Sequence, residues 1–214
     1  MESLVDLILI GLVISDMALL ATSRVAGCIR VAAVQGVLLG LLTPLLQAEA
    51  LSPRLLALAG IGMLLKGGVF PHLLTRAGKE AGAQREIEPF VGYIGSVLLA
   101  VAMLVAAVWL GARLPLRTQA GQSLVVPAAF MTMFTGLFLI VARRTALTQA
   151  VGFLVTENGI YAFGVATVGE IPALVELGVL LDAFVAVFVM GIAIYHINRE
   201  FDHIDADQLS TLKG

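Results

Sequence analysis

Long apolar runs separated by short polar segments make up most of this chain of 214 residues. Several runs exceed the roughly 18 residues that an α-helix needs to cross the hydrocarbon core of a bilayer. Charged residues make up only 13% of the chain, and the mean hydropathy is +1.00. Soluble domains carry about 25% charged residues. The sequence therefore predicts an all-α, polytopic membrane protein.

Division of the apolar runs at charged breaks predicts about seven transmembrane helices. They lie near residues 3–22, 26–47, 53–75, 90–112, 123–142, 145–168 and 173–196. The predicted segments are a three-helix membrane segment (1–76), a cytoplasmic loop (77–89), a four-helix segment (90–197) and a cytoplasmic tail (198–214). The first run begins with Glu2 and Asp6 and carries no Lys or Arg, unlike a secretory signal peptide, so we expect it to remain as a helix.

The basic residues in the loops and near the ends of the spans predict the orientation of the chain. Nine of them fall on the side of loops one, three and five and the tail: Arg24, Arg30, Arg76, Lys79, Arg85, Arg143, Arg144, Arg199 and Lys213. Only Arg54, Arg113 and Arg117 fall on the other side. Because cytoplasmic loops carry an excess of Lys and Arg, the N-terminus is predicted outside and the C-terminus in the cytoplasm. We expect a bacterial or archaeal cytoplasmic membrane.

Five ionisable residues lie well within the predicted spans, away from their ends: Asp16, Lys66, Glu157, Glu176 and Asp182. A charge at the bilayer centre costs roughly 2.5–3.5 kcal/mol on insertion scales, so such residues face protein or water and are usually functional. With a rise of about 1.5 Å per residue, Lys66, Glu157 and Asp182 fall near the middle of three different helices. A mid-membrane layer of two carboxylates and an ammonium group is suited to lateral proton transfer. Glu176 and Asp16 would lie nearer the two exits.

Two of these residues also have structural interpretations. Glu176 lies close to the predicted outer surface, where it could extend to the interface or act as an acid at a helix N-terminus. Asp16 could form a fixed ion pair with Arg24 or Arg30. Neither interpretation requires proton transfer.

The neighbours of Glu157 favour a polar network inside the membrane. Asn158 can donate hydrogen bonds to a carboxylate or a water, and Tyr161 lies one helical turn from Glu157. Gly159 permits close approach of another helix. The stretch is thus interpreted as a proton-handling site within a helix-packing seam.

The stretch "GIGMLLKGGVFPH" (60–72) places four glycines and Pro71 around Lys66. Pro71 has no amide donor, which frees a carbonyl one turn earlier and favours an interrupted helix. His72 lies near the predicted cytoplasmic end and could pass protons to it. Close helix packing by the glycines is the alternative, as is a fixed Lys66–Glu157 ion pair without a transport role.

The chain lacks the residues that most cofactors need. Its single cysteine, Cys28, excludes an internal disulfide and any CxxC or Cys/His zinc or iron–sulfur motif. We therefore expect no metal, no cofactor and no catalytic centre in this chain. The net charge of −2 gives no indication of a nucleic-acid partner.

Four stretches of the sequence resemble hydrogenase-4 component E, the HyfE family. They are "LLKGGVFP" (64–71), "TENGIYAF" (156–163), "PALVELGVLLDAFVAVFVM" (172–190) and "LSTLKG" (209–214). The resemblance implies a non-redox membrane subunit of a group 4 nickel–iron hydrogenase or formate hydrogenlyase complex, assemblies related to respiratory complex I. It also implies antiporter-like membrane subunits and a hydrogenase arm as partners, and hence a proton-translocating oxidoreductase complex.

From about residue 123 the chain is also similar to the complex I subunit NuoK and the antiporter subunit MrpC. That similarity implies that Arg143 and Arg144 match a basic pair, with Glu157 as the first intramembrane carboxylate and Asp182 as the second. Glu157 falls about one turn later after the basic pair than in the NuoK pattern. Two other functions remain open: a subunit of a cation/proton antiporter without redox coupling, and a passive membrane scaffold.

Overall fold

The computed structural model of the chain describes residues 2–22, 24–46, 52–80, 93–114, 124–143, 145–167 and 178. Within these ranges the regular structure is entirely helical. The α-helices are α1 (Glu2–Ala21), α2 (Val25–Leu46), α3 (Pro53–Leu64), α4 (Phe70–Glu80), α5 (Tyr93–Arg113), α6 (Val125–Ala142) and α7 (Ala146–Thr167), and a π-helical turn, Leu65–Val69, joins α3 to α4. The all-α prediction is confirmed for this part of the chain.

Four helices are long and apolar enough to cross a membrane: Ser3–Ala21, Val25–Leu46, Pro53–Lys79 and Val125–Ala142. The chain is therefore a membrane protein. In α5 the stretch Leu98–Arg113 is apolar but shorter than a membrane span. Helix α7 has 22 residues, but polar residues such as Glu157 and Asn158 lower its hydropathy. Apart from Gly178, the predicted span 173–196 lies outside the described residues, so seven spans and the orientation of the termini stay predictions.

Helix α3 begins at a capped N-terminus and continues through the π-turn into α4. The Ser52 hydroxyl accepts a hydrogen bond of 3.2 Å from the Leu55 amide, and Pro53 occupies the first turn, where no amide donor is needed. In the π-turn, the Phe70 amide donates to the Leu65 carbonyl five residues earlier. The helix ends at Glu80, inside the segment for which the sequence predicts a loop.

Helices α6 and α7 pack with their backbones in close contact because glycines line the seam. A Cβ atom on Gly159 would lie 2.6 Å from the Met133 amide nitrogen and 2.8 Å from the Ala129 carbonyl oxygen. A Cβ on Gly152 would lie 2.9 Å from the Gly136 carbonyl oxygen. Small residues permit this approach in membrane helices. The seam holds Glu157 and Asn158 at a defined place on α7.

Helix α2 occupies the middle of the described part, because it contacts α1, α3, the π-turn, α4 and α7. Two glycines of α2 lie directly against the interrupted helix formed by α3 and the π-turn. A Cβ on Gly36 would lie 2.5 Å from the Lys66 Cβ, and a Cβ on Gly40 would lie 2.8 Å from the Met63 Cβ. The π-turn is thereby placed between α2 and α7.

Candidate proton-transfer site

The structure brings Lys66 and Glu157 together as a buried ion pair. The Lys66 Nζ atom lies 2.8 Å from the Glu157 Oε1 atom and also donates to the Asn158 Oδ1 atom at 3.2 Å. Their side chains are only 12% and 4% exposed. The pair connects the π-turn to α7 across 91 residues of sequence. A bond to an ionised partner at this distance is of the strong, charge-assisted kind.

The local backbone explains why Lys66 points at α7. The π-turn rests directly against α2, where Gly36 leaves room for the Lys66 backbone and where a Cβ on Gly67 would lie 2.7 Å from the Val37 Cγ2 atom. Pro71 has no amide hydrogen and cannot donate to the carbonyl four residues earlier, so the regular pattern changes here. π-turns of this kind are frequent at functional sites.

One oxygen of Glu157 has an unused hydrogen-bonding capacity. The Oε2 atom is buried and accepts no hydrogen bond within the described part of the chain. Buried carboxylate oxygens are normally satisfied, so a vacant acceptor indicates a water or a further donor beyond the ion pair. Gly178 lies close to this carboxylate, since a Cβ there would be 3.8 Å from the Glu157 Oε1 atom.

Tyr161 extends the site from α7 to α2. The Lys66 Nζ atom lies 5.5 Å from the centre of the Tyr161 ring, within cation–π distance. The Tyr161 and Thr43 hydroxyl oxygens are 2.8 Å apart, and the Thr43 hydroxyl donates to the Leu39 carbonyl at 3.0 Å. If the Thr43 proton is used in that way, Tyr161 is the donor to Thr43.

A small cavity adjoins Lys66 and Asn158. The centre of a water molecule could move within about 10 Å³ of this cavity, which is at the lower limit for one bound water. Its lining includes Lys66, Asn158, Pro71, Leu74 and Ile29. Lys66 and Asn158 supply polar atoms, whereas the remaining wall is apolar.

Asp16 lies in a second polar cluster, separate from Lys66. It is fully buried, with 0% exposure. The Gln35 amide donates to Asp16 Oδ1 at 2.8 Å, and the Thr132 hydroxyl oxygen lies 2.7 Å from Asp16 Oδ2. Arg24 and Arg30 are both exposed, so the structure does not place Asp16 in the fixed ion pair considered from the sequence.

Sequence reasoning missed the partners of Asp16. Gln35 and Thr132 were not identified, although a glutamine in the middle of an apolar run is a visible signal. The threonine carries no such signal, because helices α1 and α6 meet only through tertiary packing.

The other predicted site residues lie apart from the ion pair or outside the described ranges. His72 is exposed on α4. Arg143, just after α6, is buried and donates to the Thr22 carbonyl at 3.4 Å; burial lowers the pKa of its guanidinium. Arg144, Glu176 and Asp182 are outside the described residues. No group of three or more His, Cys, Asp or Glu residues within the described ranges is arranged to hold a metal ion.

Apolar helices of membrane-spanning length around a buried ion pair define a helical membrane protein. Comparison with known sequences identifies the family of the chain. The chain belongs to the family of the uncharacterized protein Rv0085 of Mycobacterium tuberculosis, to which it is 35% identical over 213 residues, covering 98% of this chain and 96% of that protein.

A more distant similarity links the chain to proteins named Hydrogenase-4 component E. Those of Escherichia coli K12 and Shigella flexneri are each 29% identical over 163 residues, covering 75% of this chain and 74% of theirs. No family model and no solved structure matches the chain. The resemblance to hydrogenase-4 component E is thus supported by distant homology, whereas the similarity to NuoK and MrpC stays a prediction.

Proposed function

We propose that the chain is a membrane subunit of a hydrogenase-like complex in which the Lys66–Glu157 pair transfers protons. Distant homology to a hydrogenase-4 component supports membership in such a complex. The 2.8 Å contact between Lys66 Nζ and Glu157 Oε1 is the observation that carries the proton-transfer role.

The chemistry of the pair suits reversible proton transfer. Burial disfavours each charge, whereas the attraction between the two charges favours both. Movement of one proton from Lys66 Nζ to Glu157 Oε1 yields a neutral amine and a neutral carboxylic acid, and no heavy atom has to move far. The amine can then accept a new proton, and the acid can release its own.

The surroundings of the ion pair provide one point at which a proton can enter and one at which it can leave. The water-sized cavity is lined in part by Lys66, and the buried Glu157 Oε2 atom has no hydrogen-bond donor among the described residues. We assign to the cavity the exchange of protons with Lys66. We assign to the Glu157 Oε2 atom the exchange of protons with the next group along the path. Asp182 and Glu176 are our candidates for that continuation, toward antiporter-like subunits of the complex.

The π-turn supplies a movable support for Lys66. A turn with hydrogen bonds to the fifth residue can return to the ordinary helical pattern, which rotates the residues within it. Gly67, Gly68 and Pro71 weaken the local backbone pattern. Such a rotation would withdraw Lys66 from Glu157 and switch the connection on or off.

The decisive experiment replaces Glu157 by Gln in the intact complex. We expect proton translocation into inverted vesicles to be lost, while hydrogen evolution from a reduced soluble dye persists. Asp6→Asn, which removes a partly exposed carboxylate from α1, is the matched control and should retain translocation. Undiminished translocation in Glu157→Gln would contradict the proposal.

A further inference from the structure

A second carboxyl group, Asp16, is buried without an oppositely charged partner among the described residues. Its hydrogen-bonding partners there are the Gln35 amide and the Thr132 hydroxyl, both of which are neutral. An isolated buried carboxylate is far less favourable than a paired one. The surroundings of Asp16 therefore differ in kind from those of Glu157, which meets an ammonium group.

The protons of Gln35 and Ser15 can be assigned from the distances. The two protons of Gln35 Nε2 are used by Asp16 Oδ1 at 2.8 Å and by Ser15 Oγ at 2.9 Å. The Ser15 hydroxyl donates its own proton to the Leu12 carbonyl at 2.6 Å. On this side Asp16 accepts a hydrogen bond at Oδ1, as either a carboxylate oxygen or the carbonyl oxygen of a neutral acid does.

The Thr132 hydroxyl determines the state of the other oxygen. Its Oγ1 atom lies 3.0 Å from the Ala128 carbonyl oxygen and 2.7 Å from Asp16 Oδ2, yet a hydroxyl has only one proton. Several other threonines here donate to the carbonyl four residues earlier: Thr22, Thr43, Thr75, Thr156 and Thr167. If Thr132 does the same, the proton between it and Asp16 must come from Asp16.

We propose that Asp16 is a second proton-binding site, in which Oδ2 carries the proton as a neutral carboxylic acid and donates it to Thr132. With this assignment, Asp16, Thr132, Ser15 and the Gln35 amide nitrogen all have partners, and no charge is buried. The Gln35 Oε1 atom remains without a donor among the described residues. A water that donates a hydrogen bond to this oxygen could receive the Asp16 proton.

The charged groups on the neighbouring helices do not alter this assignment. Helix α1 packs against α2, α5 and α6. On α2, Arg30 is exposed and Cys28 lies in an apolar cluster with Leu19, while α6 carries no ionisable residue. On α5, Arg113 is exposed and stacks on the Trp109 ring at 5.2 Å. Asp6, on α1 itself, lies nearly three turns away.

In the proposed function, Asp16 holds a proton while Glu157 is ionised. This role deepens the proposed function and rests on it. Gln35 holds Asp16, and its neighbour Gly36 supports Lys66, so α2 carries both sites at consecutive positions. The protonation of Asp16 can nevertheless be measured without any assay of proton pumping.

The test is infrared spectroscopy of the full-length chain in lipid nanodiscs at pH 7. We expect a carbonyl stretching band of a neutral carboxylic acid in the wild type, absent in Asp16→Asn and retained in Asp6→Asn. Thr132→Val, which removes the acceptor, should move this band to higher frequency, whereas Thr132→Ser should leave it in place. The threonine variants keep Asp16 and provide a reading even if Asp16→Asn fails to fold.

Two results would overturn the proposal. An acid band of equal intensity in the wild type and Asp16→Asn would show that Asp16 is ionised. Loss of the band in sodium chloride, but not in choline chloride at the same pH, would show a sodium site instead of a proton site. Loss of pumping in any variant, with the band intact, would bear on the proposed function alone.

Discussion

The two buried carboxyl groups of this protein are accommodated in opposite ways. Glu157 is held by an ammonium group on an interrupted helix, at a contact of 2.8 Å. Asp16 is held by an amide and a hydroxyl on two helices, at 2.8 and 2.7 Å. With Asp16 assigned as a neutral acid and Glu157 as an ionised partner of Lys66, membrane burial alone does not dictate one protonation state, and the neighbouring side chains become the deciding factor.

The supports of the two groups also differ. Glu157 lies on α7, whose glycine seam with α6 leaves no space for larger side chains. Its partner Lys66 lies on a π-turn beside a small cavity. One half of the ion pair is therefore held rigidly, and the other half is attached to a turn that can rearrange. In the Asp16 cluster, all of the described partners lie on regular helices.

The largest effect is expected when Lys66 is replaced by Met. This leaves Glu157 buried without its counter-charge, and breaking a buried pair on one side costs about 3–5 kcal/mol. Unfolding of the chain in mixed micelles by a denaturing detergent measures the change. The double variant Lys66→Met with Glu157→Met removes both charges and should recover most of the loss. A double variant as unstable as the single one would contradict the ion-pair description.

A smaller effect is expected from Gly159→Ala in the α6–α7 seam. The added methyl group would meet backbone atoms of α6, and overpacking of this kind costs about 1–3 kcal/mol. Gly62→Ala is the control, because no atom of another helix in the described part of the chain lies within 4 Å of a Cβ there. That change should be neutral or stabilise α3 by up to about 1 kcal/mol. Equal destabilisation by both variants would argue against the rigid seam.

Tyr161→Phe tests the link between α7 and α2. The variant loses the hydrogen bond to Thr43 but keeps the ring beside Lys66, so we expect a loss of about 1 kcal/mol in unfolding free energy. Thr43→Val removes the same bond from the other end. The double variant should lose little more than either single variant, and fully additive losses would show that the bond is absent.

The smallest effect is expected from Asp16→Asn. The amide can accept from Gln35 through its oxygen and donate to Thr132 through its nitrogen, as the neutral acid does. We expect a change on the order of 0.5 kcal/mol in unfolding free energy. Asp16→Leu, which removes both hydrogen bonds, is the contrasting variant. A large loss in Asp16→Asn would favour an ionised Asp16 and would remove the contrast with Glu157.

Much of the helix pattern could be predicted from the sequence, because hydropathy and charged breaks are local properties. The predicted span 26–47 corresponds to Val25–Leu46, and 145–168 corresponds to Ala146–Thr167. Depth counting also placed Lys66 and Glu157 at one level, which is a precondition for their contact. The extension of α4 to Glu80 was missed, since charged residues end an apolar run without ending a helix.

The sequence by itself determined where most of the described helices form and which ionisable groups interrupt the apolar runs, because each depends on a short stretch of residues. Only the tertiary structure decided which of these groups meet. Lys66 reaches Glu157 because Gly36 and the π-turn bring the two helices together, and Asp16 meets Thr132 because α1 packs on α6. Such contacts depend on how helices distant in the chain are oriented around one another, which no local pattern contains.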